Sequence, residues 1–222
     1  IFLALSPFMR DIFAILSAPL MSVLPEGTKL IATGVITPFM VPLKLTLFVS
    51  FLIALPYVLY QAWAFVAPGL YQHEKRLAAP VIASSVAMFV LGMAYCYFVV
   101  FRLVFRFIAS FAPTTVNVAP DIDAYFSFVL GLFLAFGLTF EVPIVVVLLA
   151  RFGIADVERL KAARPYVIVG AFIVAAIFTP PDVISQLLLA VPLCLLYEVG
   201  IQVARLVGKR ADAEAAGSAS GS

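Results

Sequence analysis

The 222-residue sequence carries too few charges to cover a water-soluble surface. Hydrophobic residues make up 64% of the chain and charged residues only 12%, whereas a soluble domain has about 25% charged residues. The net charge of only +2 and the lack of a basic cluster in the sequence argue against a nucleic-acid-binding protein. Composition therefore places the chain among the integral membrane proteins built from helices.

The first predicted element is residues 1–5, an apolar segment without the basic start of a signal peptide. We expect this segment to be the tail of a helix that is truncated at its N-terminal end. Residues 6–44 follow as a long connection rich in Pro and Gly. Within this connection, residues 11–24 carry apolar side chains at helical spacing, which predicts a short helix at the membrane interface.

Four later segments are long enough to cross a bilayer as helices, which takes about 20 apolar residues. They are residues 45–66, 77–109, 125–149 and 184–207. A fifth apolar run, residues 166–178, is shorter and leads through a Pro-Pro turn into the last span. We therefore expect six helices, with the first only partly present and the last two forming a short hairpin whose tip thins the bilayer locally.

Most of the basic residues lie on one side of the predicted membrane. They occur in the connections of residues 71–76 and 152–164 and after the last span. By the positive-inside rule this side is cytoplasmic, so both termini are predicted to lie inside. We treat residues 1–207 as one transmembrane domain, and residues 208–222, which end in a Gly- and Ser-rich stretch, as a flexible cytoplasmic tail or linker.

Glu141 is the most informative polar residue within a predicted span. It lies two residues before Pro143, which has no N–H and so leaves the carbonyl of Thr139 without its helical donor. An ionisable group at this depth should face the bundle interior or a water-filled cavity. Two interpretations stay open: a functional carboxylate, or a protonated Glu that pairs with a neighbouring helix for structure alone.

The other candidate side chains lie nearer the predicted membrane surface. Asp182 follows two prolines and starts a helix, so helix capping alone could explain it. Gln186 lies one turn further along the same helix face. Glu198, near the inner end of the last span, can reach the interface. For Glu74, in the connection of residues 71–76, the simplest interpretation is a solvated carboxylate paired with a neighbouring Lys or Arg.

No catalytic or metal-binding pattern is recognisable in the sequence. The single His73 lies in a connection, and there is neither a Gly-x-Ser-Gly nucleophile motif nor a His-Glu-x-x-His helix. Cys96 and Cys194 lie in apolar runs and are interpreted as packing residues. We expect no enzyme activity, no metal and no cofactor. A secondary transporter of small solutes or ions, coupled through Glu141, is the alternative from another class, although no internal repeat is evident.

Several short motifs together carry a family resemblance. They are Ser17–Leu20, Thr37–Phe39, Tyr60–Leu70, His73–Arg76, Ala135–Pro143, Arg164–Tyr166 and Thr179–Asp182. In these motifs and in their order, from about residue 6 to residue 207, the chain closely resembles the TatC family, the polytopic subunit of the twin-arginine protein translocase. The resemblance implies an all-α, concave six-helix bundle with both termini in the cytoplasm.

The resemblance also implies a function. TatC proteins bind the twin-arginine signal peptides of folded precursor proteins, and these precursors are exported across the bacterial cytoplasmic (inner) membrane with the proton-motive force and without a cofactor. The implied partners are the single-span subunits TatB and TatA, other TatC copies and the lipid bilayer, but no nucleic acid.

Two groups of residues receive roles from the resemblance. The group implied to bind the signal peptide consists of Glu74, Phe65, Trp63 and Arg76. The group implied to act in partner contacts and transport consists of Glu141, Pro19, Asp182 and Gln186. The family's N-terminal cytoplasmic segment, which supplies part of the signal-binding site, does not occur in this sequence.

Overall fold

The computed structural model is helical through most of the part of the chain that it describes. This part comprises residues 1–22, 30–66, 75–111, 120–151, 153–179 and 183–219. The side chains at residues 20, 63–66, 75–79, 108, 109, 111 and 207–219 lie outside the description. A helical backbone is the expected solution for so apolar a chain, because lipid offers no partners for unsatisfied N–H and C=O groups.

In chain order, the helices are α1 (Phe2–Leu5), a 3₁₀ turn (Ser6–Phe8), α2 (Met9–Met21), α3 (Thr37–Val66), α4 (Lys75–Tyr95), a π-helical segment (Cys96–Val100), α5 (Phe101–Phe111), α6 (Ile122–Arg151), α7 (Val157–Ala162), α8 (Arg164–Phe178) and α9 (Val183–Ala219). Among the described residues, five stretches are long and apolar enough to cross a membrane: Phe2–Pro19, Thr37–Ala62, Pro80–Phe107, Ile122–Arg151 and Val183–Leu206. α8 is apolar but has only 15 residues. The all-α membrane fold and the short helix before the last span are therefore confirmed.

Within the turn-rich connection predicted over residues 6–44, the short helix expected over residues 11–24 is present as α2, whereas the prediction was wrong for the residues at both ends of that connection. α1, the 3₁₀ turn and α2 follow one another from Phe2 to Met21, and α3 begins at Thr37 rather than at residue 45. The late predicted start of α3 follows from interpreting the prolines just before residue 45 as helix breakers. Pro19 and Pro42 lie inside helices, since neighbouring side chains and backbone in a membrane protein can re-satisfy the groups that proline leaves without a donor.

The last helix extends beyond its predicted end. α9 continues through residues 208–219 as far as Ala219, so the backbone of most of the predicted tail is helical. The flexibility of this tail stays a prediction.

The chain divides into two compact units, residues 1–136 and residues 137–222, with the boundary inside α6. In the first unit, aromatic rings of α6 pack against the earlier helices at centroid distances between 4.9 and 6.2 Å. The pairs are Phe13–Phe126, Phe48–Phe133, Tyr95–Phe136, Phe101–Phe133 and Phe105–Tyr125. Because lipid is as apolar as these rings, close van der Waals contact holds the helices together here rather than exclusion of water.

The start of α6 is tied to the segment before α3 by Asp121. Its Oδ1 accepts hydrogen bonds from the backbone N–H groups of Asp123 and Ala124, both at 3.0 Å, and so caps the helix. Its Oδ2 accepts from the hydroxyl of Thr33 at 2.7 Å and from the backbone N–H of Thr33 at 3.1 Å. A short parallel backbone bridge between Ile31 and Asp121 lies beside these bonds. One carboxylate therefore joins two segments of the first unit.

The second unit has a small core of its own. The buried side chains are Val146, Leu160, Tyr197 and Ile201, from α6, α7 and α9. The Tyr197 hydroxyl donates a hydrogen bond to the backbone carbonyl of Leu160 at 2.7 Å. This bond fixes the short helix α7 against α9.

Gly200 allows an especially close approach of α9 to α6 within the second unit. A Cβ atom at Gly200 would lie 2.9 Å from the Cα of Pro143 and 3.0 Å from the Cβ of Val146. These distances are shorter than side-chain atoms tolerate, so a larger residue here would have to push the two helices apart. Small residues at such crossings are the usual means of close helix packing in membranes.

Candidate functional site

The residues expected to bind a signal peptide lie around the junction of α3 and α4. Glu74 lies outside the described residues. The backbone of Trp63 and Phe65 is in the last turns of α3, and that of Arg76 is in the first turn of α4. Because these two successive helices pack against each other, the three backbone positions lie at the same end of the pair. Their side chains are outside the description, so this site stays a prediction.

Pro19 interrupts the hydrogen bonding of α2, and two tyrosines supply new donors. Proline has no N–H, so the carbonyl of Ile15, four residues earlier, loses its helical donor. The Tyr97 hydroxyl donates to this carbonyl oxygen at 3.1 Å. The Tyr125 hydroxyl donates to the neighbouring carbonyl of Leu16 at 2.9 Å. Pro19 thus exposes the Ile15 acceptor that helps to fasten α2 to the π-helical segment, and the bond from Tyr125 to Leu16 fastens α2 to α6 beside it.

Removing both hydroxyls should loosen the attachment of α2. In Tyr97→Phe/Tyr125→Phe, each lost interhelical hydrogen bond should cost about 1 kcal/mol, and thermal unfolding in detergent should occur at a lower temperature. Tyr166→Phe is the matched control, since Tyr166 is 79% exposed. In a Pro19→Ala background, the effect of Tyr97→Phe should shrink because a backbone N–H returns to the Ile15 carbonyl. An unfolding temperature equal to that of the wild type would show that other donors serve these carbonyls.

Glu141 lies in the part of α6 that belongs to the second unit, and its side chain is only 8% exposed. This burial agrees with the expectation that an ionisable group at this depth turns away from lipid. Two residues later, Pro143 removes the helical donor of the Thr139 carbonyl. Pro143 is also the residue that Gly200 of α9 approaches. Glu141 therefore lies beside a proline interruption and a close helix crossing.

Of the two residues predicted at the last turn, Asp182 lies outside the described residues and Gln186 lies in the first turn of α9. The Nε2 group of Gln186 donates to the backbone carbonyl of Phe172 in α8 at 3.2 Å. α8 ends where the N–H and hydroxyl of Thr179 both donate to the carbonyl of Ala175, at 2.9 and 2.8 Å. Gln186 therefore helps to hold the α8–α9 hairpin together.

An ion pair that sequence spacing did not reveal joins α8 to α9. Arg164 donates through Nε to Glu198 Oε2 at 3.0 Å and through Nη2 to Oε1 at 2.5 Å. Two parallel bonds of this kind are the strongest geometry for a guanidinium and a carboxylate. Both side chains are about half exposed, so the pair adds modest stability. Its clearer role is to fix the start of α8 against α9.

The acid groups with perturbed pKa values outside the spans have structural causes. The Thr33 hydroxyl, helped by backbone N–H donors, lowers the pKa of Asp121 to about 2. The hydrogen bond from Lys161, together with its positive charge, lowers the pKa of Glu158. Helix capping and local pairing account for both groups without a catalytic role. Among the described residues, no group of three or more His, Cys, Asp or Glu could hold a metal ion.

Comparison with known proteins gives one consistent result. The family model described as Sec-independent protein translocase protein (TatC) matches residues 1–192. The TatC protein of Azotobacter chroococcum mcd 1 is 57% identical over 201 residues, which cover 90% of this chain and 79% of that protein. The TatC protein of Escherichia coli (strain K12) is 52% identical over 210 residues, which cover 94% of this chain and 81% of that protein.

A solved structure is similar to the whole fold. The crystal structure of the twin arginine translocase receptor TatC superimposes with a TM-score of 0.80 at 40% sequence identity, covering 92% of this chain and 90% of that chain. The similarity in sequence therefore extends to the fold.

Proposed function

Since this chain belongs to the TatC family of Sec-independent protein translocase proteins, we propose that it binds twin-arginine signal peptides as a core subunit of the twin-arginine translocase. The chain is a multi-pass membrane protein and a component of a protein translocase. The family match over residues 1–192 carries this conclusion, and the fold, with its TM-score of 0.80, supports it. Both observations favour a translocase subunit over a small-solute or ion transporter.

Recognition of the signal peptide is proposed to centre on Glu74. A guanidinium presents a planar fork that a carboxylate accepts through two parallel hydrogen bonds, and a lysine ammonium cannot copy this geometry. A protein that recognises paired arginines requires this selectivity for arginine over lysine. Trp63 and Phe65, at the end of α3, would provide the apolar surface for the hydrophobic stretch that follows the arginines. Since exposed ion pairs contribute little individually, these contacts and Arg76 should act together.

Glu141 is proposed to receive a polar helix residue of a single-span partner, TatA or TatB. Interhelical polar contacts in lipid are worth about 0.6–2 kcal/mol, which suits reversible recruitment better than permanent assembly. The buried position of Glu141 means that docking requires local rearrangement. The hydrogen bonding of α6 is already interrupted at Pro143, beside the crossing with Gly200. We therefore expect the rearrangement of α6 to occur there.

The proposed setting is the bacterial cytoplasmic membrane, with both termini inside. Lys161 and Arg164 flank the connection between α7 and α8, and such clusters remain on the cytoplasmic side by the positive-inside rule. Further copies of the chain, TatA and TatB would complete the translocase, and the proton-motive force would drive export. Pro19, Asp182 and Gln186 are proposed to shape the surface on the opposite side, and no catalytic step is assigned to this subunit.

Photocrosslinking in membranes that contain the complete translocase tests the signal-binding proposal. A photoreactive amino acid in place of Phe65 should crosslink a precursor with a twin-arginine signal, and at least roughly tenfold less of a precursor whose two arginines are lysines. A photoreactive amino acid in place of Val191, which lies exposed on α9, is the control and should capture neither signal. Equal capture of both precursors at position 65 would contradict recognition of the arginines there.

The docking role of Glu141 has a separate test. Glu141→Ala should reduce crosslinking to the single-span partner by about 3- to 30-fold, the range that corresponds to one interhelical polar contact. Crosslinking of the signal peptide should change less. Glu158→Ala removes an exposed carboxylate outside the spans and should leave partner capture unchanged. Undiminished partner crosslinking in Glu141→Ala would exclude the docking role.

A further inference from the structure

Two arginines lie on the exposed face of α5 without a partner among the described residues. Arg102 and Arg106 are four residues apart, so they project from the same side of the helix, one turn from each other. Both side chains are exposed. Neither forms a hydrogen bond or an ion pair with any residue that the structure describes. Two guanidinium groups therefore point outward together, without a compensating carboxylate from the described residues.

Ring contacts establish the depth of these arginines along the helices. Phe101 packs against Phe133 at a centroid distance of 5.0 Å, and Phe105 packs against Tyr125 at 5.5 Å. As residue numbers rise along α5 they fall along α6, so the two helices run antiparallel. Arg106, next to Phe105, is therefore level with the first turn of α6.

That level is the polar end of the span. Lys44 and Asp123 form an ion pair of 2.7 Å there, with both side chains about half exposed. The stretch Pro80–Phe107 has 28 residues and is about 42 Å long at about 1.5 Å per residue. The hydrocarbon core of a bilayer is only about 30 Å thick. The last turns of this stretch, with Arg102 and Arg106, thus extend to the depth of the lipid headgroups.

The same side of the helix is apolar one turn closer to the membrane centre. Phe98 is 64% exposed and Val99 is 38% exposed, and Leu103, between the two arginines, is 44% exposed. The exposed face therefore changes from apolar side chains to two guanidinium groups along its length. This order matches a phospholipid, in which acyl chains lead to a phosphate at the membrane surface.

We propose that Arg102 and Arg106 bind the phosphate of an anionic phospholipid whose acyl chains lie along Phe98 and Val99. A guanidinium donates paired hydrogen bonds to phosphate oxygens. The site is one open helix face, and a free anion would meet only two side chains on it. A lipid is already held at this depth by the bilayer, which favours it as the occupant. The bound lipid would hold α5 at a fixed depth, a role separate from signal recognition.

Photocrosslinking from a lipid tests the proposal in the full chain. The protein is placed in phosphatidylcholine nanodiscs that contain a small fraction of phosphatidylglycerol with a photoreactive acyl chain. Mass spectrometry then measures the crosslink yield on the peptide that contains Phe98 and Val99. In Arg102→Gln/Arg106→Gln the yield should fall by about 10- to 30-fold, as expected for the loss of two cationic contacts to an anionic lipid surface. Arg102→Lys/Arg106→Lys should retain an intermediate yield, because charge remains but the planar fork is lost.

Matched controls separate this site from general attraction of charge. Arg159→Gln/Arg205→Gln removes the same charge from exposed positions of α7 and α9 and should leave the yield on α5 unchanged. Unlabelled phosphatidylglycerol should compete, and inorganic phosphate should not. Wild-type yield in the Arg102→Gln/Arg106→Gln variant, equal labelling by photoreactive phosphatidylcholine, or full competition by inorganic phosphate would each overturn the proposal. Thermal unfolding of the Gln variant should match the wild type, because neither arginine has a described partner to lose.

Discussion

Replacing Glu74 with Gln should nearly abolish the capture of a twin-arginine signal peptide while leaving the protein inserted in the membrane. The amide keeps the size of the carboxylate but loses its charge and one acceptor oxygen. Hydrogen bonds to charged groups contribute about 1.5–3 kcal/mol each, so signal affinity should fall roughly 10- to 100-fold. The yield of crosslinking from position 65 measures this loss directly.

A matched variant checks that the effect belongs to this carboxylate. Glu158→Gln removes an exposed Glu that pairs with Lys161 at 2.7 Å, and capture should stay at the wild-type level. Glu74→Asp, which keeps the charge on a shorter side chain, should retain part of the affinity. If Glu74→Gln captured the signal normally, Glu74 would have no place in the binding site.

Replacing Gly200 with a larger residue should have the largest effect on stability. In Gly200→Ala the new Cβ would lie 2.9 Å from the Pro143 backbone, and overpacking of this kind costs about 1–3 kcal/mol. Gly200→Val should cost more, with less folded protein recovered from membranes. Thermal unfolding in detergent, followed by size-exclusion chromatography, measures both losses.

A second glycine provides the control for Gly200. Around Gly170 in α8 a Cβ would meet no atom within 4 Å, so Gly170→Ala should be neutral or slightly stabilising, because Ala is the better helix former. Equal unfolding temperatures for Gly200→Ala and Gly170→Ala would mean that α6 and α9 are free to separate at this crossing. The expected contrast would instead make the crossing beside Glu141 a fixed point of the second unit.

The spans could be predicted from the sequence because their length and composition leave no other structure in lipid. The ends of the helices were harder to predict. Proline in a soluble helix is a reliable stop, and this rule placed the start of α3 too late, because Pro42 lies inside that helix. At Pro19 the missing donor is replaced by Tyr97, which is 82 residues away from the acceptor Ile15. A local sequence pattern cannot predict a contact between residues so far apart in the chain.

The candidate site was predictable only in part for the same reason. The depth of Glu141 followed from its place in a span, and its burial agrees with that prediction. The Arg164–Glu198 pair spans 34 residues, and the sequence indicated only that Glu198 could reach the interface. The close crossing at Gly200 could not be predicted either, because a glycine in an apolar helix occurs for several reasons and does not by itself indicate a helix contact. The motifs indicate which residues act in function. The residues that hold them in place are distant in the sequence and are seen only in the structure.

The low pKa of Asp121 has a consequence for a membrane that works under a proton gradient. A carboxylate whose pKa falls from its ordinary 3.8 to about 2 favours the folded state at neutral pH and loses that contribution progressively as the pH drops from 3.8 to about 2. In the proposed orientation Asp121 faces the side into which protons are pumped. Acidification of that side would then leave the hydrogen bonds between Asp121 and Thr33 in place at any pH well above 3.8, so this link between Thr33 and α6 should not open and close with the proton gradient.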